Sequence, residues 1–251
     1  MSTLSSLPRL WAPAALHHGA QVALDDARAH YLRHVMRLSD GASLSVFNGT
    51  DGEWRASLQT IGKRGAALLV QSNLRPPKPE PGPWLLFAPV KRAATDLILV
   101  KAVELGVERI QPIQTRRTNA ERINHDRLTA QAIEAAEQCE RLTLPTIAEI
   151  APFESLLASW PAERRLFIAD ESGARSNEAT IPSLAQAVAG EARGRPWALA
   201  IGPEGGWAQG ELDAFRDSAF VTAIAMGPRV LRAETAALAG LAVLQALLGD
   251  W

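Results

Sequence analysis

WALAIGPEGGWAQGELDAF, residues 197–215, is the stretch on which the fold turns. An apolar run, Trp197 to Ile201, stops at Gly202-Pro203. Glu204, Gly205, Gly206 and Trp207 follow, and then a segment able to start a helix. Strand, glycine turn and helix, in that order, is how many α/β folds build a nucleotide site. The turn is not G-x-G-x-x-G, so the dinucleotide fingerprint is absent, and not GxxxxGK[ST], so no phosphate-cradling P-loop is present. It also lacks Lys and Arg. The plain alternative is a strand-to-helix turn whose glycines relieve backbone strain. Against that stands a second strand with the same ending. FVTAIAM (220–226) is followed by Gly227-Pro228-Arg229 and then Val230-Leu231-Arg232-Ala233-Glu234-Thr235. Two strands that stop at Gly-Pro near the C-terminal edge of a parallel sheet predict a ligand crevice there.

Outward from these turns the pattern alternates. WLLFAPV (84–90), ERIQPIQ (108–114), RRLFIAD (164–170), WALAI and FVTAIAM read as strands. Between and after them, TDLILVKAVELG (95–106), DRLTAQAIEAAEQCER (126–141), SLAQAVAGEA (183–192), ELDAFRD (211–217) and AETAALAGLAVLQALL (233–248) read as helices. Thr95 or Asp96 is the expected N-cap of the first, and Gly106 its stop. Short apolar strands between amphipathic helices predict an α/β domain with a mostly parallel sheet.

Upstream lies LRPPKPEPGPW (74–84), with five prolines and a glycine. Proline fixes φ and removes donors, so this is neither helix nor central strand, and a domain boundary is expected there. The resulting division is 1–74, a linker at 75–83, and 84–251. In the first part SLSVFN (43–48) and EWRASLQT (53–60) flank Gly49-Thr50-Asp51-Gly52, a hairpin signature. Gly62-Lys63-Arg64-Gly65 then turns into AALLVQS (66–72). DARAHYLRHVMRL (25–38) is the one helical candidate, with Asp25 or Asp26 as N-cap. One short helix and several strands predict a small β-barrel.

The 251 residues suit one large domain or two smaller ones. The N-terminus has no basic segment leading into an apolar run, so no signal peptide is expected. The longest apolar run, Ala236–Leu248, is too short to cross a bilayer. A single cysteine, Cys139, cannot form an internal disulfide and fits a reducing cytoplasm. Net charge is −1. Residues 1–75 are mildly basic and carry four of the five histidines, while the remainder is acidic. That distribution fits a phosphate-contacting N-terminal module on an acidic body; ordinary solvated charge gives the same count. His30 and His34 lie four apart, but no further ligand at metal-binding spacing and no HExxH accompanies them, so no metal is expected.

With both glycine turns in hand, the chain resembles the ribosomal RNA small subunit methyltransferase E family, within the SPOUT (trefoil-knotted) methyltransferases. IGPEGGW…GEL with MGPRVLRAETA carries the resemblance. HYLRHVMRLSDG (30–41), VKRAATDLILVKAVELGVERIQPIQTRRT (90–118) and EAAEQCERLTLP (134–145) match in order. Trp207 stands where phenylalanine is commoner, and Arg116 where an acid is usual. The resemblance implies a PUA-like β-barrel for RNA, then a C-terminal α/β trefoil knot that binds S-adenosylmethionine. It also implies a homodimer through the knot helices, and methylation of uridine N3 in 16S rRNA near the decoding centre of the 30S subunit. The implied cofactor cradle is Ile168, Ala169, Ile201, Gly202, Pro203, Glu204, Gly205, Gly206, Met226, Gly227, Val230, Leu231 and Arg232.

Tight glycine turns can ring a neutral adenine with backbone amides, which accounts for a cradle without lysine. Glu204 and Arg232 are the candidate catalytic residues. Glu204 beside a sulfonium favours the charged ground state, which does not accelerate transfer; ordering the turn near a helix N-terminus is its other role. Arg232 is expected to stabilise charge on the acceptor base or to contact its phosphate. Expected RNA contacts are Arg9, Arg33 and Arg37 in the N-terminal part, with Lys91 and Arg117 from the body. A nucleotide-dependent oxidoreductase lacks its G-x-G-x-x-G. A non-catalytic RNA-binding protein, or a related methyltransferase with another target nucleotide, is the remaining alternative.

Overall fold

The computed structural model describes residues 7–61, 65–118, 123–171 and 181–251. The chain divides into two units: Met1–Glu80 with Ala136–Leu144, and Pro81–Ala135 with Pro145–Trp251. The division at Glu80 falls inside the proline-rich segment. The return of Ala136–Leu144 to the first unit has no signature in the sequence.

The first unit is a curled five-stranded sheet. Its strands are β1 (Arg9–Trp11), β2 (Gln21–Leu24), β3 (Ser43–Asn48), β4 (Gly52–Ile61) and β5 (Gly65–Arg75), in the order β1-β3-β4-β5-β2. The β3–β4 hairpin turns where Gly49–Gly52 predicted. Gly52 has φ +85°, and a Cβ there would strike the backbone of Arg75, Pro76 and Pro77. Of the next expected turn, residues 62–64 lie outside the described residues. Inward-facing Leu10, Val22, Leu44, Val46, Leu58 and Leu68 form the core, together with Leu32 from the helical segment. Asp25 caps helix α1 (Asp26–His30) by accepting from the Arg28 amide at 2.8 Å. The chain then widens into a single π turn, Tyr31–Val35, so the expected helix over 25–38 is shorter and irregular.

The second unit is a sheet of parallel strands. They are β6 (Trp84–Phe87), β7 (Arg109–Gln114), β8 (Thr146–Ile147), β9 (Ala151–Pro152), β10 (Arg165–Ala169), β11 (Trp197–Ile201) and β12 (Val221–Ile224). The order is β12-β10-β11-β6-β7-β8, with β9 pairing the end of β7. The helices are α2 (Arg92–Glu104), α3 (His125–Gln138), α4 (Phe153–Ala158), α5 (Leu184–Ala187), α6 (Gln209–Arg216) and α7 (Ala233–Leu248). Alternate residues of the central strands feed two cores. Leu85, Phe87, Leu199 and Ile201 meet Ile98 and Leu99 of α2 and Leu241 and Leu244 of α7. Leu86, Ala198, Ala200 and Ile168 meet Phe153, Trp207 and Phe215 on the other face. Burial on both faces is why WLLF and WALAI are continuous apolar runs. Gly240 of α7 lets the helix approach β11: a Cβ there would lie 2.7 Å from Leu199 Cδ2.

Two expected helices differ. α2 begins at Arg92 rather than after Thr95, with Lys91 in the N-cap position. Thr95 Oγ1 instead donates to the Val90 carbonyl at 3.1 Å, and Asp96 pairs with Arg127. Over 183–192, only Leu184–Ala187 is helical, held by a reciprocal cap between Ser183 and Gln186. Gly106, φ +76°, ends α2 as expected.

Arg9 is a correction to the expected RNA contacts. Its side chain is buried: Nε donates to Glu53 at 2.8 Å, and the Nη atoms donate to the carbonyls of Ala136, Glu137 and Arg141. Glu53, also buried, accepts from Ser45 Oγ at 2.6 Å and from Arg75. Burial alone would raise the Glu53 carboxyl, but the Ser45 and Arg9 hydrogen bonds and the nearby guanidinium charges outweigh it and hold it below the ordinary value. Glu80 is held low in the same way, by Thr143, the Leu142 amide and Arg141. A depressed folded-state value contributes stability that is present above the unfolded carboxyl value and is lost as pH falls through the folded one. Glu53→Gln leaves Arg9 buried without its counter-charge and should cost on the order of 3 kcal/mol near neutral pH. Its urea midpoint should also fall less steeply than the wild type's as pH drops below that of a free carboxyl. Equal midpoints near neutrality would remove this cluster as a stabilising feature.

Candidate cofactor and substrate site

Three strands of the second unit end level with one another: Ala169 pairs with Ile201 on one side and Ile224 on the other. Beyond that edge the chain leaves β11 through Gly202–Trp207 and approaches α7 through Met226–Arg232. These segments enclose a cavity of about 710 Å³. Of the expected cradle, Ala169, Ile201, Gly202, Pro203, Glu204, Gly206, Met226, Gly227, Val230, Leu231 and Arg232 line it. Ile168 does not: it is wholly buried in the core on one sheet face. Gly205 does not either, and its backbone lies against Arg117.

A brace behind the cavity holds the glycine turn. The Trp207 indole lies flat beneath Gly202, where a Cβ would come within 2.9 Å of it. Its Nε1 donates to the Ala169 carbonyl at 2.8 Å, tying the end of β10 to the turn after β11. Phenylalanine at this position would have no such donor. Gly206 has φ +71°, donates to the Pro203 carbonyl at 2.8 Å, and leaves no room for a Cβ beside the Glu171 carboxylate. Arg117 Nη1 donates to the carbonyls of Gly205 at 2.8 Å and Trp207 at 3.3 Å. Glu211 is buried in the first turn of α6 and accepts from the amides of Arg116 at 2.9 Å and Ala208 at 2.7 Å. Arg117, expected on RNA, is exposed and also holds the glycine turn.

The first turn of α2 also reaches the cavity, with Lys91, Ala93, Ala94 and Leu97. Sequence reasoning placed Lys91 on RNA; it stands at the rim. Asp170, Glu171, Arg229 and Glu234 add charged groups to the lining, and Ala233 and Ala236 complete it. The adjacency of Asp170-Glu171 to β10 and of Arg229 to the second turn was readable, whereas the α2 contribution follows from the pairing of β6 with β11. The cavity thus carries four carboxylates and three cationic side chains on walls of backbone and aliphatic surface. Such a mixture can hold a neutral ring, a cationic centre and an anionic group side by side. His30 and His34, in the first unit, have their rings 4.6 Å apart, and among the described residues no group of three His, Cys, Asp or Glu could hold a metal. No helix of the described residues is long and apolar enough to cross a membrane.

The sequence matches the RNA methyltransferase domain family over residues 78–245 and the RNA methyltransferase PUA domain family over residues 24–71. The chain is 30% identical over 243 residues to the ribosomal RNA small subunit methyltransferase E of Rickettsia conorii, covering 96% of each. A crystal structure of a ribosomal RNA small subunit methyltransferase E from Neisseria gonorrhoeae, bound to S-adenosylmethionine, superposes with a TM-score of 0.82 at 27% identity, covering 98% of this chain and 99% of that one. A putative methyltransferase from Legionella pneumophila, in complex with the same cofactor, gives 0.82 at 26% identity, with 98% and 99% covered. Fold, cavity and sequence together define an RNA methyltransferase. The chain belongs to the ribosomal RNA small subunit methyltransferase E family.

Trp207→Phe keeps an aromatic ring but leaves the part-buried Ala169 carbonyl without its donor, which should cost roughly 1 kcal/mol of stability in urea denaturation. An unchanged midpoint would mean that the indole hydrogen bond does not hold the turn.

Proposed function

We propose that this protein transfers the methyl group of S-adenosylmethionine to N3 of a uridine in 16S rRNA of the 30S subunit, in the cytoplasm. The observation that carries the reading is the cavity at the level ends of β10, β11 and β12, walled by the two Gly-Pro turns. Its residues fit the cofactor. The turns at 202–206 and 226–228 present backbone and no lysine, which suits adenosine rather than a polyphosphate, and the cavity has the volume of a drug-sized ligand site.

S-adenosylmethionine supplies an electrophilic methyl carbon on a sulfonium, and the N3–CH3 bond forms as the S–CH3 bond breaks. Uridine N3 must lose its proton to attack, and the charge then spreads to O2 and O4. Arg232 lines the cavity immediately before α7 and is the cation we assign to that charge. Glu204 sits on the glycine turn; its carboxylate favours the cationic ground state and orders the turn, and does not carry the rate. Holding N3 in line with the methyl carbon supplies much of the remainder.

Arg33 and Arg37 in the first unit, and Lys91 at the cavity rim, are the phosphate contacts of this reading. The homodimer belongs to it as well. α7 is apolar nearly all round: Leu241, Leu244 and Leu248 face the core, while Val243 and Leu247 remain 41% and 40% exposed. A helix of this kind with half its stripe uncovered suits a second copy. The trefoil knot is likewise part of what the family implies.

The test is labelled methyl transfer to 30S particles lacking the modification, followed by mass mapping of the product nucleoside. 3-Methyluridine is expected, and a methyl group at any other position, or none, overturns the reading. Arg232→Ala should lower kcat by about a hundredfold, and Glu204→Gln should keep it within a few-fold; the reverse order would exchange their roles. Leu247→Glu should shift the protein from dimer to monomer in light scattering after size exclusion, and an unchanged mass would place the dimer contact elsewhere.

A further inference from the structure

The π turn after α1 has exposed features that the packing of its own unit does not use. A π turn is rare and is frequently found at functional sites. Arg37, two residues past the last position of this one, has a φ of 55°, uncommon for a residue with a side chain. Of the five residues Tyr31–Val35, only Leu32 is buried. Tyr31, Val35 and Met36 are 44%, 61% and 38% exposed, an uncovered apolar group on adjacent positions. The charges within its own span have one sign, with Asp25, Asp26 and Asp40 just outside it. From Ala27 to Ser39 there is no acidic residue, while Arg33, Arg37, His30 and His34 all fall in that span. Arg33 Nη2 donates to the Gly65 carbonyl at 2.7 Å, which fixes its position beside the turn.

We propose that this turn is a stacking platform for an unpaired RNA nucleotide. The inference rests on the RNA methyltransferase reading above and adds which form of RNA the first unit takes. Tyr31 offers its ring face to a base, Val35 and Met36 flank it, and Arg33 and Arg37 meet the adjoining phosphates. An exposed aromatic among cations suits a single strand, whose base faces are free; in a duplex they are stacked on one another. Arg37, just past the turn, is exposed.

The experiment uses the full-length protein and two labelled RNAs of equal length, an oligouridine and a hairpin, in fluorescence anisotropy. Tyr31→Ala should weaken oligouridine binding about tenfold, in the range of one base–aromatic stack, while Tyr31→Phe restores it and hairpin binding hardly moves. Photocrosslinks from a 4-thiouridine-containing oligouridine should map to residues 30–37. Equal oligouridine binding by wild type and Tyr31→Ala, or crosslinks confined to other residues, overturns the platform. Methyl transfer to 30S particles, run on the same preparations, keeps the two readings apart. If the wild type methylates and Tyr31→Ala binds oligouridine normally, the platform fails alone. If the wild type does not methylate, the proposed function fails.

Discussion

The site depends on the level ending of β10, β11 and β12. In a parallel sheet the backbone ladder stops at such an edge, and each chain must leave with its last carbonyls unpaired unless something else reaches them. Here a side chain takes over from the ladder. The Trp207 indole donates to the Ala169 carbonyl and lies under Gly202, so the ends of β10 and β11 stay joined past the last strand pair. Arg117 and Glu211 extend that join, one through the carbonyls of the turn and the other through the amides of Ala208 and Arg116. The cavity is the space left in front of this brace, and glycine at 202 and 206 keeps side chains out of the space behind it.

In the proposed reaction, the charges around the cavity divide its labour. Asp170, Glu171, Glu204 and Glu234 make a setting that favours a sulfonium, which acts on binding rather than on rate because the positive charge vanishes during transfer. Lys91, Arg229 and Arg232 favour the opposite sign, and a uridine about to react gains negative charge. A cavity with one sign alone would serve one partner at the expense of the other. Arg232 stands where the second Gly-Pro turn meets α7, between the cofactor turn and the last helix, which suits a group that must face the acceptor.

Much of this was legible in the sequence because strands buried on both faces are unbroken apolar runs, and WALAI and AETAALAGLAVLQALL keep their predicted limits. The pair of Gly-Pro endings located the cavity for the same local reason. What the sequence hid depends on distant partners. Strands β1, β2, β8 and β9 have two to four residues each, too few for a period to show, and exist through their pairing. Thr95 and Asp96 look like caps, but their side chains bond to Val90 and Arg127 and the helix starts a turn earlier. The α2 wall of the cavity is set by the strand order, which no local pattern reports.

The arginines show why residue type and local charge were insufficient to find the RNA contacts. A guanidinium removed from water must have its N–H groups met, and one that is met has nothing left to offer a phosphate. Arg9 reaches that state with Glu53, three carbonyls and the face of Phe47, 4.0 Å away. Arg117 is exposed and commits its Nη1 to the carbonyls of the glycine turn, much as Arg33 commits its Nη2 to that of Gly65. Arg37 is the contrary case. Its side chain is exposed, and its left-handed backbone closes the helical segment, bringing the Leu38 amide to the Leu32 carbonyl at 2.9 Å. That conformation also leaves an exposed cation just past the turn. At Arg37 it coincides with a π turn and with an uncovered aromatic ring on the same few residues, which is why the first unit's RNA contacts are better sought there than at Arg9.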